Sequence, residues 1–324
     1  MGSGSAAELS LRQRAAAQSG ERAMAVQRGS RERLLIVSAD DFGLSSSVNA
    51  GIVRAHREGL LTNASLMVNG AAFEEAVDQA RSLPELGVGL HLVLLQGRAA
   101  LAPSEISELV SPEGYFSEHP VATGIRYFFR STLHPLLERE IRAQVEKFLA
   151  TGLELSHIDG HLNIHMHPTV LGILLRIAPE YGIRAIRLPR EPLRLSLRAD
   201  SREPFRKVAE SLTFRALCRY AQPRLDAAGV SYADQIFGLH HSGHMTEPYL
   251  RFLLEHLPEG VTELYTHASL VDAEAARWRP ASYECEAELA ALLSPALRQR
   301  LQALGIGRIS YRELPELRKR CAVP

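Results

Sequence analysis

LLIVSADDFGLSSSVNAGIVRAH, residues 34–56, sets the plan of the chain. Residues 34–37 are an uninterrupted apolar run, which reads as a strand buried on both faces. They lead into Ser38-Ala39-Asp40-Asp41-Phe42-Gly43. Residues 45–56 then place apolar side chains at helical spacing, with Ser45, Ser46 or Ser47 available as N-cap. Strand, acidic turn, helix is the unit from which parallel α/β folds are built.

The unit recurs. Strands are predicted at 64–68, 88–95, 155–159, 184–188, 235–238, 261–265 and 307–310. Helices are predicted at 71–83, 135–150, 168–181, 204–228 and 247–256, with further helical segments in 283–304. Residues 97–132 break the rhythm with Pro, Gly and aromatic residues and read as an inserted flap. Residues 190–202 form a loop rich in Pro and Arg. Repeated βα order over about 290 residues predicts one parallel sheet wrapped by helices, closed or nearly closed into a (β/α) barrel. Residues 34–324 are expected to form this single domain with inserted loops. Residues 1–33, rich in Ala, Gly, Ser, Arg and Gln, are expected to be a disordered or loosely helical extension without the apolar core of a signal peptide.

Composition narrows the classes. Of 324 residues, 46% are hydrophobic and 23% charged, enough to bury a sizeable core. Lys+Arg and Asp+Glu are each 37, and this balance argues against a general nucleic-acid binder. The balance is uneven along the chain: residues 1–33 carry six Arg against three Glu. Only Lys147, Lys207 and Lys319 among the basic residues are lysine. Cys218, Cys285 and Cys321 are far apart and odd in number, which fits neither a disulfide framework nor a CxxC metal site and suits a reducing, cytoplasmic compartment. No stretch reaches the ~18 apolar residues of a membrane span.

Reactive side chains recur at the ends of the predicted strands. Asp40 and Asp41 follow the first, His91 lies in the third, and His157, Asp159 and His161 surround the end of the fourth. Arg187 ends the fifth and His267 follows the strand at 261–265. In a parallel α/β fold these ends form one rim, where the active site lies. Asp40-Asp41 reads either as an N-cap pair or as one metal ligand beside one base. His157, His161, His165 and His167 fall within eleven residues, and neutral imidazoles suit Zn²⁺ and related ions. Their spacing matches neither HExxH nor a zinc finger. His91 is a core histidine or a ligand, in a segment where Gly87 and Gly89 permit close backbone approach. His240, His241 and His244 form a second cluster, either a polar loop or a substrate contact. GxGxxG, GxxxxGK[ST] and GxSxG are all absent, so a dinucleotide site, a P-loop and a nucleophile elbow lack support.

LLIVSADDFGLS (34–45), GLHL (89–92) and HIDGHLNIH (157–165) together resemble the three signature blocks of the YdjC-like carbohydrate deacetylases, over residues 33–315. NASLMVNGAAF (63–73), GIRYFF (124–129) and HPTVLGIL (167–174) resemble the branch associated with hopanoid biosynthesis. The resemblance implies a NodB-like distorted (β/α) barrel and one divalent metal held by Asp41, His91 and His161. It implies Asp40 as general base and His267 as general acid. It implies removal of acetyl from an N-acetylglucosamine group, in this branch one carried by a hopanoid lipid. Ser38 stands where the family commonly has Asn, and Ala268 where Pro commonly follows the late histidine.

Further expectations follow. Asp159, His165, Arg187 and His244 are candidates to touch substrate or to hold the ligands from behind. The relatives point to Mg²⁺, whereas two imidazoles and a carboxylate favour Zn²⁺ or a similar ion. Residues 182–224 hold eleven Arg and Lys against four Asp and Glu. They, with Arg126-Tyr-Phe-Phe-Arg130, read as walls for an apolar ligand, as contacts to an anionic membrane at its inner face, or as a solvated Arg-rich surface. A homodimer is a further expectation. Rival readings are a deacetylase of soluble chitooligosaccharides, a non-catalytic carbohydrate-binding barrel, and a glycosidase using paired carboxylates. The last suits adjacent acids flanked by histidines less well.

Overall fold

A computed structural model describes residues 32–321. The expected N-terminal extension therefore lies, except for its last two residues, outside the described residues. β1 (Arg33–Phe42) feeds α1 (Ser46–Glu58), and β2 (Asn63–Leu66) feeds α2 (Phe73–Arg81). β3 (Gly87–Leu92) runs into the insertion, which contains α3 (Pro120–Phe129), and then into α4 (His134–Leu149). β4 (Leu155–Gly160) passes through a 3₁₀ segment, His161–Met166, into α5 (Pro168–Tyr181). α6 (Leu193–Ala199) and α7 (Pro204–Ala227) precede β5 (Gln235–Phe237), which leads to α8 (Glu247–His256). β6 (Gly260–Thr266) is followed by α9 (Ala273–Trp278), α10 (Cys285–Leu293) and α11 (Pro295–Ala303). β7 (Gly307–Arg308) and α12 (Leu314–Cys321) end the described chain.

All strand pairs are parallel, in the order β4-β3-β2-β1-β6-β5, with β7 beside the start of β1. The predicted strand at 184–188 is reduced to single bridges, Ile158 with Ile186 and Ala185 with Ser231. These bridges carry the curled sheet round from β4 towards β5, and this is the distortion of the barrel. Two further differences concern helices. The flap at 97–132 contains α3, and the loop at 190–202 contains α6. Both are short and packed on by tertiary contacts that local periodicity does not report.

The alternation of β1 divides its side chains between two environments. Leu35, Val37 and Ala39 join the apolar layer under the helices. Ile36 points the other way, into an apolar plug with Ala185, Val261, Ile309 and Tyr311. Above that plug the barrel interior turns polar: Ser38 donates to Glu263 at 2.8 Å, and Glu263 accepts from Arg187. β1 runs on to Phe42, past the residue 37 at which the apolar run stops, so the two aspartates lie inside the strand and not after it.

Candidate metal centre

Simple alternation would point Asp40 into the barrel and Asp41 out towards the helices. The backbone prevents this. Asp41 sits in the left-handed region at φ 69°, and the β1–β2 register shifts between Ala39 and Phe42. A left-handed non-glycine residue at a strand end is strained, and such strain concentrates at functional sites. Here it turns two adjacent carboxylates onto the same rim.

Asp41, His91 and His161 converge there, their potential ligand atoms within 4.8 Å of one another. All three are buried. Oδ1 of Asp41 lies 3.5 Å from Nε2 of His91 and 3.4 Å from Nδ1 of His161. That oxygen is buried without a hydrogen-bond partner, an expensive condition unless something else satisfies it. The spacing fits an ion, since ligands about 2.1 Å from a tetrahedral centre lie about 3.4 Å apart. The other oxygen, Oδ2, accepts from Nε of Arg279 at 2.9 Å, and Nη2 of the same guanidinium forms an ion-pair contact with it at 2.9 Å. Burial opposes ionisation of Asp41, but Arg279 and His161 hold its carboxyl well below the ordinary value.

Nδ1 of His91 faces Oδ1 of Asp159 at 2.8 Å, which leaves Nε2 for the centre. A carboxylate behind a histidine fixes its tautomer and raises its basicity as a ligand. Burial pulls the His91 pKa down, yet Asp159 and the neighbouring aspartates raise it to about 9. A second trio, Asp40, His91 and Asp159, is also compact, but Arg187 already holds both oxygens of Asp40. Gly89 makes room on the same strand: a side chain there would lie 2.3 Å from the His157 ring.

Arg187 organises the floor. Its Nη1 and Nη2 donate to Asp40 at 2.8 and 2.9 Å, Nη1 lies 2.6 Å from Asp159, and Nε and Nη2 reach Glu263. Burial opposes its charge, and the three carboxylates hold it well above the ordinary value. Asp40, Asp41, Asp159 and Glu263 are thus four buried carboxylates against two guanidiniums, Arg187 and Arg279. Counted apart from its histidines, the cluster is two positive charges short, and a divalent cation between Asp41, His91 and His161 would supply them.

His267 borders the cluster from the loop after β6 and is half-buried. Loss of water around the ring lowers its pKa to about 4, against the pull of Asp41. Its backbone N–H donates to Glu288 at 2.6 Å, and Glu288 also accepts from the N–H of Met245 at 2.8 Å. The Tyr283 ring lies 4.9 Å from His267. His165 lies away from the ligand atoms: it is fully buried, with Nε2 against the carbonyl of Arg187 at 2.9 Å. His244 is partly exposed beside Glu284, with its ring 6.5 Å from Tyr283. His157 stacks on Tyr311 at 4.2 Å. Arg279, Glu263 and Glu288 were missed in the sequence. Glu263, the lone acid of a predicted strand, carried a readable signal; Arg279 sits in a loop and carried none.

A cleft of about 720 Å³ opens beside the cluster. None of the clustered ligand residues lines it, but Leu44, Met67 and Val93 follow the same strand ends, and Trp278 adjoins Arg279. Tyr115 and Trp278 stack in its wall with ring centroids 5.7 Å apart, beside Asn69 and Gln96. Among the described residues no helix is long and apolar enough to cross a membrane.

Comparison with known proteins gives a consistent result. The family model described as YdjC-like protein matches residues 34–303. A carbohydrate deacetylase of Geobacillus stearothermophilus is 32% identical over 288 residues, 88% of this chain and 99% of that protein. One of Vibrio vulnificus is 33% identical over 281 residues, 86% and 96% of the two chains. The match with a carbohydrate deacetylase of Brevibacillus brevis is 46% identical but spans 152 residues, 46% of this chain and 57% of that protein. In three dimensions, a crystal structure from Enterococcus faecalis, named for cellobiose-phosphate cleavage, superposes with a TM-score of 0.69. It has 24% identity and covers 87% of this chain and 98% of that one, a likeness of fold.

Proposed function

The chain belongs to the YdjC-like family, and from that membership we propose that it is a divalent-metal-dependent carbohydrate N-deacetylase acting on an N-acetylglucosamine group. The observation that carries this reading is the unpartnered Oδ1 of Asp41 facing two imidazole nitrogens at ligand spacing. Asp41, His91 and His161 hold the ion. Two nitrogens and one oxygen favour Zn²⁺ or a similar transition ion over Mg²⁺, which prefers oxygen ligands. Such an ion lowers the pKa of bound water and polarises an acyl oxygen.

The residues around it divide the proton work. Asp40, fixed by both arms of Arg187, accepts a proton from the attacking water. His267 delivers a proton to the departing amine. Burial lowers its pKa to about 4, so the ring is neutral at rest and would pass on to the amine the proton that Asp40 takes from the water. Asp159 and Arg279 orient His91 and Asp41 from behind. Acetate and the free amino sugar are the products.

For the acceptor, we read the acetylglucosaminyl hopanoid of the related branch as the substrate. Exposed apolar side chains on α3, including Phe129 at 76% exposure, support a lipid-borne group. The cleft with Tyr115, Trp278, Asn69 and Gln96 favours a second reading, soluble chitooligosaccharides, because stacked aromatic faces and planar amides suit sugar rings. Acetate release from an acetylglucosaminyl hopanoid in detergent, set against release from diacetylchitobiose, separates the two. Preference for the lipid supports the first; turnover of the disaccharide alone overturns it.

A further inference from the structure

Two helices leave large apolar side chains in water at the rim where β4 ends. On α3, Val121 and Phe129 are 77% and 76% exposed, and Ile125 and Phe128 are more than half exposed. On the first half of α7, Phe205 is 89% exposed and Leu212 64%. Isolated exposed apolar residues are ordinary, but clusters of this size mark an interaction surface.

Both clusters connect to the segment after β4 that begins with His161. α3 is tied to the end of the 3₁₀ segment: His167 Nε2 contacts the Gly124 carbonyl at 3.0 Å, and the Phe128 ring lies 6.3 Å from that of His167. α7 packs on the segment itself. Arg206, near the start of α7, donates to the His240 carbonyl just after β5, so this half of α7 lies at the same rim. Between the helices Leu162 is exposed, held at φ 53° next to the proposed ligand His161.

The charge of this rim selects the occupant. Residues 119–134 carry Arg126, Arg130, His119 and His134 and no acid. On α7, Arg206 is offset by Glu203 and Glu210, while Arg215 and Arg219 add positive charge further along the helix. Aromatic side chains flanked by arginine fit the interface of an anionic bilayer, where rings enter the headgroup layer and guanidiniums meet phosphates. We propose that α3 and the first half of α7 dock the protein on an anionic membrane surface with the metal centre facing the lipid. This rests on the deacetylase reading only for what the membrane delivers; the docking itself is measurable without turnover.

The test is flotation of the full chain with vesicles of phosphatidylglycerol and phosphatidylcholine, or of phosphatidylcholine alone. The wild type and Phe129→Asp/Phe205→Asp are compared, with thermal unfolding and acetate release from diacetylchitobiose recorded for both. The wild type should float with the anionic vesicles and be largely released at about 0.5 M salt. The variant should bind at least about tenfold less with an unchanged unfolding temperature. Docking as described with no acetate from any substrate would support the surface and sink the deacetylase reading. A wild type that ignores anionic vesicles, a variant that binds as well, or a lipid-free dimer that the variant dissolves would overturn the proposal, the last by showing a second copy on this face.

Discussion

Arg187 grips Asp40 through two hydrogen bonds, Nη1 to Oδ2 at 2.8 Å and Nη2 to Oδ1 at 2.9 Å, while the same guanidinium touches Asp159 and Glu263. One buried cation therefore holds the proposed base, the carboxylate behind His91 and the floor of the barrel. Removing it strips the guanidinium from three buried carboxylates, of which Asp159 keeps its contact with His91. Arg187→Ala should lower stability by about 3–5 kcal/mol, measured by urea unfolding at neutral pH. Arg187→Lys keeps the charge but not the fork, and should recover part of the stability and little of the activity.

Asp159 acts through His91. Asp159→Asn should weaken metal affinity or activity roughly 10–100-fold, read by titration against a competing chelator. An unchanged affinity would show that the 2.8 Å contact with His91 does not tune the ligand.

Asp40 and His267 are assigned to proton transfer and not to holding the ion. Asp40→Asn and His267→Ala should each reduce kcat by roughly 10²–10⁴-fold with metal content unchanged by elemental analysis. Loss of metal in either variant would reassign that residue to the coordination set.

Glu288, which holds the backbone of His267 beside the cluster, gives the protein a pH dependence of its own. Burial lifts its carboxyl from 4.5 to about 7, despite the N–H donors of Met245 and His267. Below 4.5 the group is protonated in both folded and unfolded states. Between 4.5 and about 7 the unfolded chain ionises it while the folded chain keeps the proton, so stability falls as pH rises, by up to about 3 kcal/mol. Above that window this contribution is level. Urea unfolding from pH 4.5 to 8 should show the decline in the wild type and a flatter profile in Glu288→Gln.

The βα rhythm was legible because buried parallel strands are continuous apolar runs and their helices carry clear spacing. The helix at residues 168–181 and that at 247–256 match α5 and α8 end for end. The strand predicted at 184–188 is only partly formed: its apolar pattern reports burial, which residues 185–188 have, while ladder pairing depends on neighbours and shrinks there to single bridges. The rim was legible as a list of polar residues at strand ends, and the structure brings Asp40, Asp41, His91, Asp159, His161, Arg187 and His267 together. What joins them was not. The left-handed turn at Asp41 and its clasp by Arg279, 238 residues later in the chain, are tertiary facts without a local signature.

The central claim is that a metal held by Asp41, His91 and His161 drives removal of acetyl from an amino sugar. Its most direct test is acetate release from N-acetylglucosamine-bearing substrates by the purified protein, before chelation, after chelation and after return of a divalent ion. The account predicts acetate and free amine in equal amounts, turnover abolished by chelation and restored by Zn²⁺ or a similar ion, and no restoration in His91→Ala. Turnover that survives chelation, or full activity in His91→Ala, would contradict it.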